Sequence, residues 1–210
     1  MENPVLIFGA KGIALVALDI FHRNNVVVYG LLDDDTSLHS TEIGEYQILG
    51  STDDDGFLKL VGKKCEAFVA VEERVVRRKL VEMLNERRHV MPVNAIHDTA
   101  VVSAFAQIGH GNLIAARTIV NASASIGHHC MLQTGVVIEH GAVIEDYVNI
   151  GVGSIIGAGS TIEKNTFIGS GAIIIAGVRV GAGASVGAGS VVIENVAAGA
   201  RVFGNPAQKV

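Results

Sequence analysis

The chain has 210 residues, room for one or two domains, and a formal net charge of −5 without any long Lys or Arg stripe, which disfavours nucleic acid as a partner. Hydrophobic residues make up 49% and mean hydropathy is +0.42, yet no uninterrupted apolar run reaches the roughly 18 residues of a membrane span. No basic segment followed by an apolar one is seen near the start, and the two cysteines, Cys65 and Cys130, make no disulfide framework; the expectation is a cytoplasmic protein with no membrane partner.

Val5–Phe8 reads as a short strand ending in Gly9-Ala10-Lys11-Gly12, and Ile13–Phe21 as the helix that follows. Val26–Leu32 is a second apolar run, closed by Asp33-Asp34-Asp35. Tyr46–Leu49 is predicted as a strand, Asp53–Val61 as a short helix with an acidic first turn, Ala67–Val71 as a further strand and Arg74–Arg87 as an amphipathic helix. Strands alternating with helices imply a small parallel sheet, an α/β half-Rossmann unit over residues 1–92. Met91–Ala100 carries Pro92 and leads into a second domain, residues 93–210, whose tail turns at Gly204-Asn205-Pro206.

From Val102 to Val192 every sixth residue is aliphatic: Val102, Ile108, Ile114, Val120, Ile126, Leu132 and so on through Ile174, Val180, Val186 and Val192. Four places after each stands a residue of modest size, such as Asn112, Ala124, Cys130, Ser154 or Ala184. A helix has no period of six, so the run is a solenoid of very short strands, a parallel β-helix of about five three-sided coils. The aliphatic residue points inward, the small one fits the corner, and stacking coils about 4.8 Å apart builds one core. Glycine often follows the aliphatic residue, as at Gly127, Gly151, Gly157 and Gly169, where it is expected to supply unusual backbone angles.

Three places could carry chemistry. Gly9–Gly12 follows a strand and opens a helix, so its backbone N–H groups and Lys11 could receive a phosphate; the alternative is a plain β–α turn that needs glycine. Asp33, at the end of the second strand, stands where an acidic residue faces a nucleotide's ribose or base; the alternative is a solvated turn. Of eight histidines, four lie on the solenoid. His110 and His128 share a phase one coil apart and should stack. They and His129 are expected on an exposed wall, and their spacing does not suit a metal. His140, in Ile138-Glu139-His140-Gly141-Ala142-Val143, faces outward at mid-prism, where a neutral imidazole could deprotonate an attacking amine or hydroxyl. The hexads leave no room for a pocket-forming loop, so a cleft must come from a neighbouring prism or the N-terminal domain, most simply in a three-fold ring.

The hexads, with Val5-Leu6-Ile7-Phe8-Gly9-Ala10 at one end and Phe203-Gly204-Asn205-Pro206-Ala207 at the other, resemble the left-handed β-helix sugar O- and N-acetyltransferases of the sialic acid and bacillosamine type. The left-handed sense comes from that resemblance. The resemblance implies a homotrimer with acetyl-CoA as co-substrate between adjacent prisms, and a sugar or sugar nucleotide on the N-terminal domain. It makes His140 the general base. Asn149, Ser170 and Ala188 fall on the acetyl-CoA groove, Lys11, Gly12 and Ile13 on the sugar or phosphate contacts, and Asp33 and Asp34 on the nucleobase contacts. Several positions depart from the family. Gly141 stands where an acidic residue follows the base, with Glu139 or Asp146 as substitutes. Asn149 replaces a second histidine, Gly12-Ile13-Ala14 replaces Gly-His-Gly, and Glu72-Glu73 replaces Gly-Asn, which puts Glu72 by the substrate. Two other readings remain open: a non-catalytic relative that keeps the fold, and an NAD-binding role for the first domain.

Overall fold

The computed structural model describes residues 3–210, and the chain divides into two compact units, Met1–Ala95 and Ile96–Val210. The first is built from β1 (Val5–Phe8), α1 (Ile13–Arg23), β2 (Val28–Leu32), β3 (Glu42–Ile43), β4 (Tyr46–Gly50), α2 (Asp55–Leu58), β5 (Glu66–Val69) and α3 (Arg74–Arg88). The sheet order is β3-β4-β2-β1-β5; β4, β2, β1 and β5 run parallel, and β3 adds an antiparallel edge. β1 lies in the middle, and its four residues are all buried, as a central parallel strand requires. The half-Rossmann reading therefore holds. The sequence reading missed β3, which pairs with β4 around Gly44 and Glu45; Gly44 supplies φ +61° there. It also drew α2 too long. Asp54 accepts the amide of Gly56 as N-cap, and only four helical residues follow.

The second unit is the solenoid. Two-residue strands recur every six residues from Val101–Val102 to Val191–Val192, each paired in parallel with the strand 18 residues on, as Val137–Ile138 is with Ile155–Ile156. Three flat faces result. The first runs from Val101–Val102 to Val191–Val192, and the second from Gln107–Ile108 to Arg179–Val180. The third runs through Leu113–Ile114 and Ser185–Val186 to a closing hairpin, Arg201–Gly204 with Ala207–Lys209, turned by a cis Asn205–Pro206 bond. The inward aliphatics from Val120 to Val192 form one continuous buried core.

The corners explain the rest of the repeat. The small residues are buried, and their polar atoms close the stack: Ser154 Oγ donates to Gly169 O (2.9 Å), Ser160 Oγ to Ile175 O (2.9 Å) and Asn112 Nδ2 to Gly127 O (2.9 Å). Cys130 is packed as expected, fully buried. The glycine expectation needs correction. Left-handed backbone falls three places after the aliphatic residue, at Arg117, Ser123, His129, Gly141, Tyr147, Gly159 and Asn165 among others. The glycine directly after the aliphatic serves close approach instead: a Cβ on Gly157 would lie 2.5 Å from the nitrogen of Ala176 in the next coil.

Candidate active site

In the first unit, the C-terminal ends of β5, β1, β2 and β4 surround a cleft of about 310 Å³ lined by Gly9–Ile13, Asp33, Asp34, Thr52, Ala70, Val71, Glu72, Val76 and Leu80. This is where a parallel sheet collects ligands, because helices begin there and strand ends diverge. Gly9 has φ +111°, and a Cβ would sit 2.6 Å from Ala70 O, so the first turn can press against the loop after β5 only as glycine. Gly12 caps α1 with no side-chain hydrogen bond, which leaves the helix start turned to the cleft. Every predicted residue of this domain (Lys11, Gly12, Ile13, Asp33, Asp34 and Glu72) lies on this one cleft.

Their hydrogen bonds differ in kind. Asp33 is a brace: Oδ2 accepts the Ala10 amide (2.8 Å) and Oδ1 the Asp35 amide (2.9 Å), tying the end of β2 to the glycine turn. Asp34 is held from one side, where Oδ1 accepts both the amide and the hydroxyl of Thr52 (2.9 and 2.8 Å). Lys11 Nζ reaches Asp35 (2.6 Å); that contact, with those from Ser37, holds the Asp35 carboxyl down at about 2 and raises the Lys11 ammonium. Glu73, next to Glu72, caps α3 by accepting the amides of Val75 and Val76 (both 2.8 Å), which lowers its carboxyl.

Two contributors escaped the sequence reading. Thr52 fixes Asp34, and its role follows from β4 lying beside β2. Arg77 is fully buried, and its Nη1 donates to Val71 O (2.7 Å) and Glu72 O (3.1 Å), so a charged group on α3 shapes the far wall of the cleft. An arginine in an amphipathic helix otherwise reads as surface.

On the solenoid, His140 stands on the corner between the first and second faces. Its side chain is 73% exposed, and its Nδ1 lies 3.6 Å from Glu139 Oε2. Asp146 is elsewhere: it occupies the next corner, where Oδ1 accepts the His128 amide (2.7 Å). Ser170 and Ala188 stack one coil apart, both exposed, on the corner between the third and first faces, and Asn149 lies on the third face beside Phe167. One chain thus puts His140 on one edge of the first face and the Ser170–Ala188 column on the other. His110 and His128 stack as expected, with ring centroids 5.7 Å apart and planes 17° from parallel. The expectation for His129 is corrected. It is buried, with φ +57°, against Tyr147, because the left-handed corner position turns its ring inward. His128 is half-buried. Among the described residues no cluster of His, Cys, Asp or Glu could hold a metal, and no helix is long and apolar enough to cross a membrane.

Residues 4–84 match the PglD N-terminal domain family, and residues 159–194 match the bacterial transferase hexapeptide family (six repeats). The chain is a hexapeptide-repeat protein of the left-handed β-helix family, with a PglD-type domain at its N-terminal end. Its structural neighbours are sugar N-acetyltransferases. A histidine-to-asparagine variant of perosamine N-acetyltransferase from Caulobacter crescentus, in complex with CoA and GDP-perosamine, is similar at 28% identity and TM-score 0.91, covering 100% of this chain and 98% of that one. The acetyltransferase domain of PglB from Neisseria gonorrhoeae FA1090 is similar at 26% identity and TM-score 0.91, with all of both chains covered. WeeI from Acinetobacter baumannii AYE is similar at 27% identity and TM-score 0.88, with 99% of each covered. No curated protein sequence matches significantly.

Proposed function

We propose that this protein is an acetyl-CoA-dependent acyltransferase that acetylates the amine of an amino sugar carried on a nucleotide, with His140 as general base. The observation that carries the reading is the corner on which His140 stands. Its counterparts one coil before and after are Ala122 and Ala158, followed by Ala176, so a single imidazole projects from an edge otherwise lined by methyl groups. An exposed base on a smooth rigid edge suits a reacting group brought alongside it. The similarity to a transferase crystallised with CoA and GDP-perosamine supports both substrates.

The chemistry follows from those parts. The amine attacks the thioester carbonyl, an N–C bond forms and the C–S bond breaks. His140 takes the amine's proton and passes it to the departing CoA thiolate. In the first unit, the glycine turn and the start of α1 would receive the diphosphate, Asp34 would face the base, and Lys11 and Glu72 would border the sugar and phosphates. Asn149, Ser170 and Ala188 would line the groove for acetyl-CoA.

A homotrimer follows from the first face. Its outward row is Val101, Ile119, Val137, Ile155, Ile173 and Val191, all aliphatic, whereas the second face presents Gln107, Ser125, Val143, Thr161 and Arg179. A continuous apolar ribbon on a rigid surface marks an interface. Three prisms that turn this face to a common axis bring the His140 edge of each beside the Ser170–Ala188 edge of the next, which joins what one chain keeps apart. We place the enzyme in the cytoplasm, where nucleotide sugars and acetyl-CoA are available.

The test is thiol release from acetyl-CoA with GDP- and UDP-linked amino sugars. Turnover is expected with one of them, and His140→Ala should lower kcat by about a hundred-fold or more, the usual contribution of a general base. An unchanged rate in that variant would sink the assignment.

A further inference from the structure

We infer that Glu139 is a positioning residue for His140: its carboxylate selects the imidazole tautomer that carries the proton on Nδ1 and leaves the Nε2 lone pair pointing outward. The inference rests on the proposed role of His140 and adds the device that prepares it. A neutral imidazole has two tautomers, and only a nitrogen without a proton can act as base. Which nitrogen that is depends on what the other one faces. Here Nδ1 faces Glu139 Oε2 at 3.6 Å, a separation that a small side-chain rotation closes to a hydrogen bond.

The surroundings leave Glu139 without a competitor. The coil before presents Asn121-Ala122-Ser123 at this corner, and the coil after presents Gly157-Ala158-Gly159. The flanking strands show Val137, Ile119 and Ile155 on one side and Val143, Ser125 and Thr161 on the other. None of these titrates. The carboxylate itself is held in place, because the Glu139 backbone pairs both ways: its N–H donates to Ile156 O (2.9 Å), and its carbonyl accepts from Ala142 N (3.2 Å). Its side chain is 40% exposed, less than the imidazole beside it. Asp146, the other acidic candidate, is committed to the His128 amide on a different corner.

The experiment records nitrogen-15 chemical shifts of the imidazole in protein labelled at histidine, with His140→Ala to assign the signal. In the parent, neutral His140 should be predominantly the Nδ1–H form. In Glu139→Ala it should revert to the Nε2–H form that a solvated imidazole prefers. With substrates, Glu139→Ala should lower kcat by roughly ten-fold with both KM values unchanged, the scale expected when a supporting carboxylate is lost. Glu139→Asp should restore part of the tautomer preference. The same tautomer in parent and Glu139→Ala would overturn the inference, as would a ten-fold loss in kcat without a change of tautomer. If the parent shows the Nδ1–H form but transfers no acetyl group, the inference stands and the proposed activity falls.

Discussion

Gly157 and Gly159 flank Ala158 on one turn of the solenoid, and alanine should be tolerated very differently at the two. A Cβ at Gly157 would meet Ala176 N at 2.5 Å and Ile174 O at 2.7 Å. Ordinary contact begins at 3.4 Å, so the next coil must retreat by up to about 0.9 Å. That movement strains the bond from Gly157 N to Ile174 O, now 2.8 Å. Overpacking costs about 1–3 kcal/mol and a weakened backbone hydrogen bond about 1 kcal/mol, which together give about 3 kcal/mol. At Gly159 a Cβ meets nothing within 4 Å, and only φ +64° resists it. Left-handed backbone costs an alanine about 1–2 kcal/mol, and the stiffer unfolded chain returns about 0.4–1 kcal/mol. The net is under about 1 kcal/mol. Melting midpoints should therefore fall by about 6–12 °C for Gly157→Ala and by no more than about 4 °C for Gly159→Ala. Equal shifts, or the reverse order, would refute the division between close-approach and left-handed positions.

Three further outcomes are expected. Ile155→Lys places a charge in the aliphatic ribbon of the first face, and sedimentation should show smaller species with an unchanged circular dichroism spectrum; an unaltered assembly would remove that face from the interface. Arg77→Met keeps the buried stem but deletes the donors to Val71 O and Glu72 O, which should cost about 2–3 kcal/mol in chemical denaturation and weaken nucleotide-sugar binding in calorimetry. The Asp35 carboxyl sits at about 2 in the folded protein against 3.8 ordinarily, so the folded form binds fewer protons; its contribution is complete above about pH 4 and is lost as pH falls from there through 2. Amide exchange at Ser37 should accelerate across that window, and Lys11→Met should move the onset to higher pH.

The solenoid was legible because its signal is one-dimensional: a fixed spacing of aliphatic residues needs no knowledge of partners. The strand–helix alternation before it was legible for the same reason, down to the cleft residues at the strand ends. What escaped depended on neighbours across the fold. The role of the glycines after each aliphatic residue is set by the backbone of the coil 18 residues on. His129 looks like its exposed neighbours in sequence, and only its left-handed corner sends it inward. β3 has two residues and a glycine turn, too little for a period to show. Arg77 reads as surface until the loop it holds is known. The two edges of the first face carry residues 30 and more apart in sequence, and no local pattern relates them to each other.

Because each face repeats every 18 residues, the length of any insertion or deletion decides its fate. Eighteen residues lengthen the column and leave every later side chain pointing in its original direction. Six residues also preserve the aliphatic interior, yet they rotate everything downstream by one face. Ser170 and Ala188 would then leave the edge that faces the neighbouring imidazole while stability stayed high. A family built this way can lose its chemistry by a change that no measurement of folding would detect, and a designer can move a ligand groove around the prism by the same arithmetic.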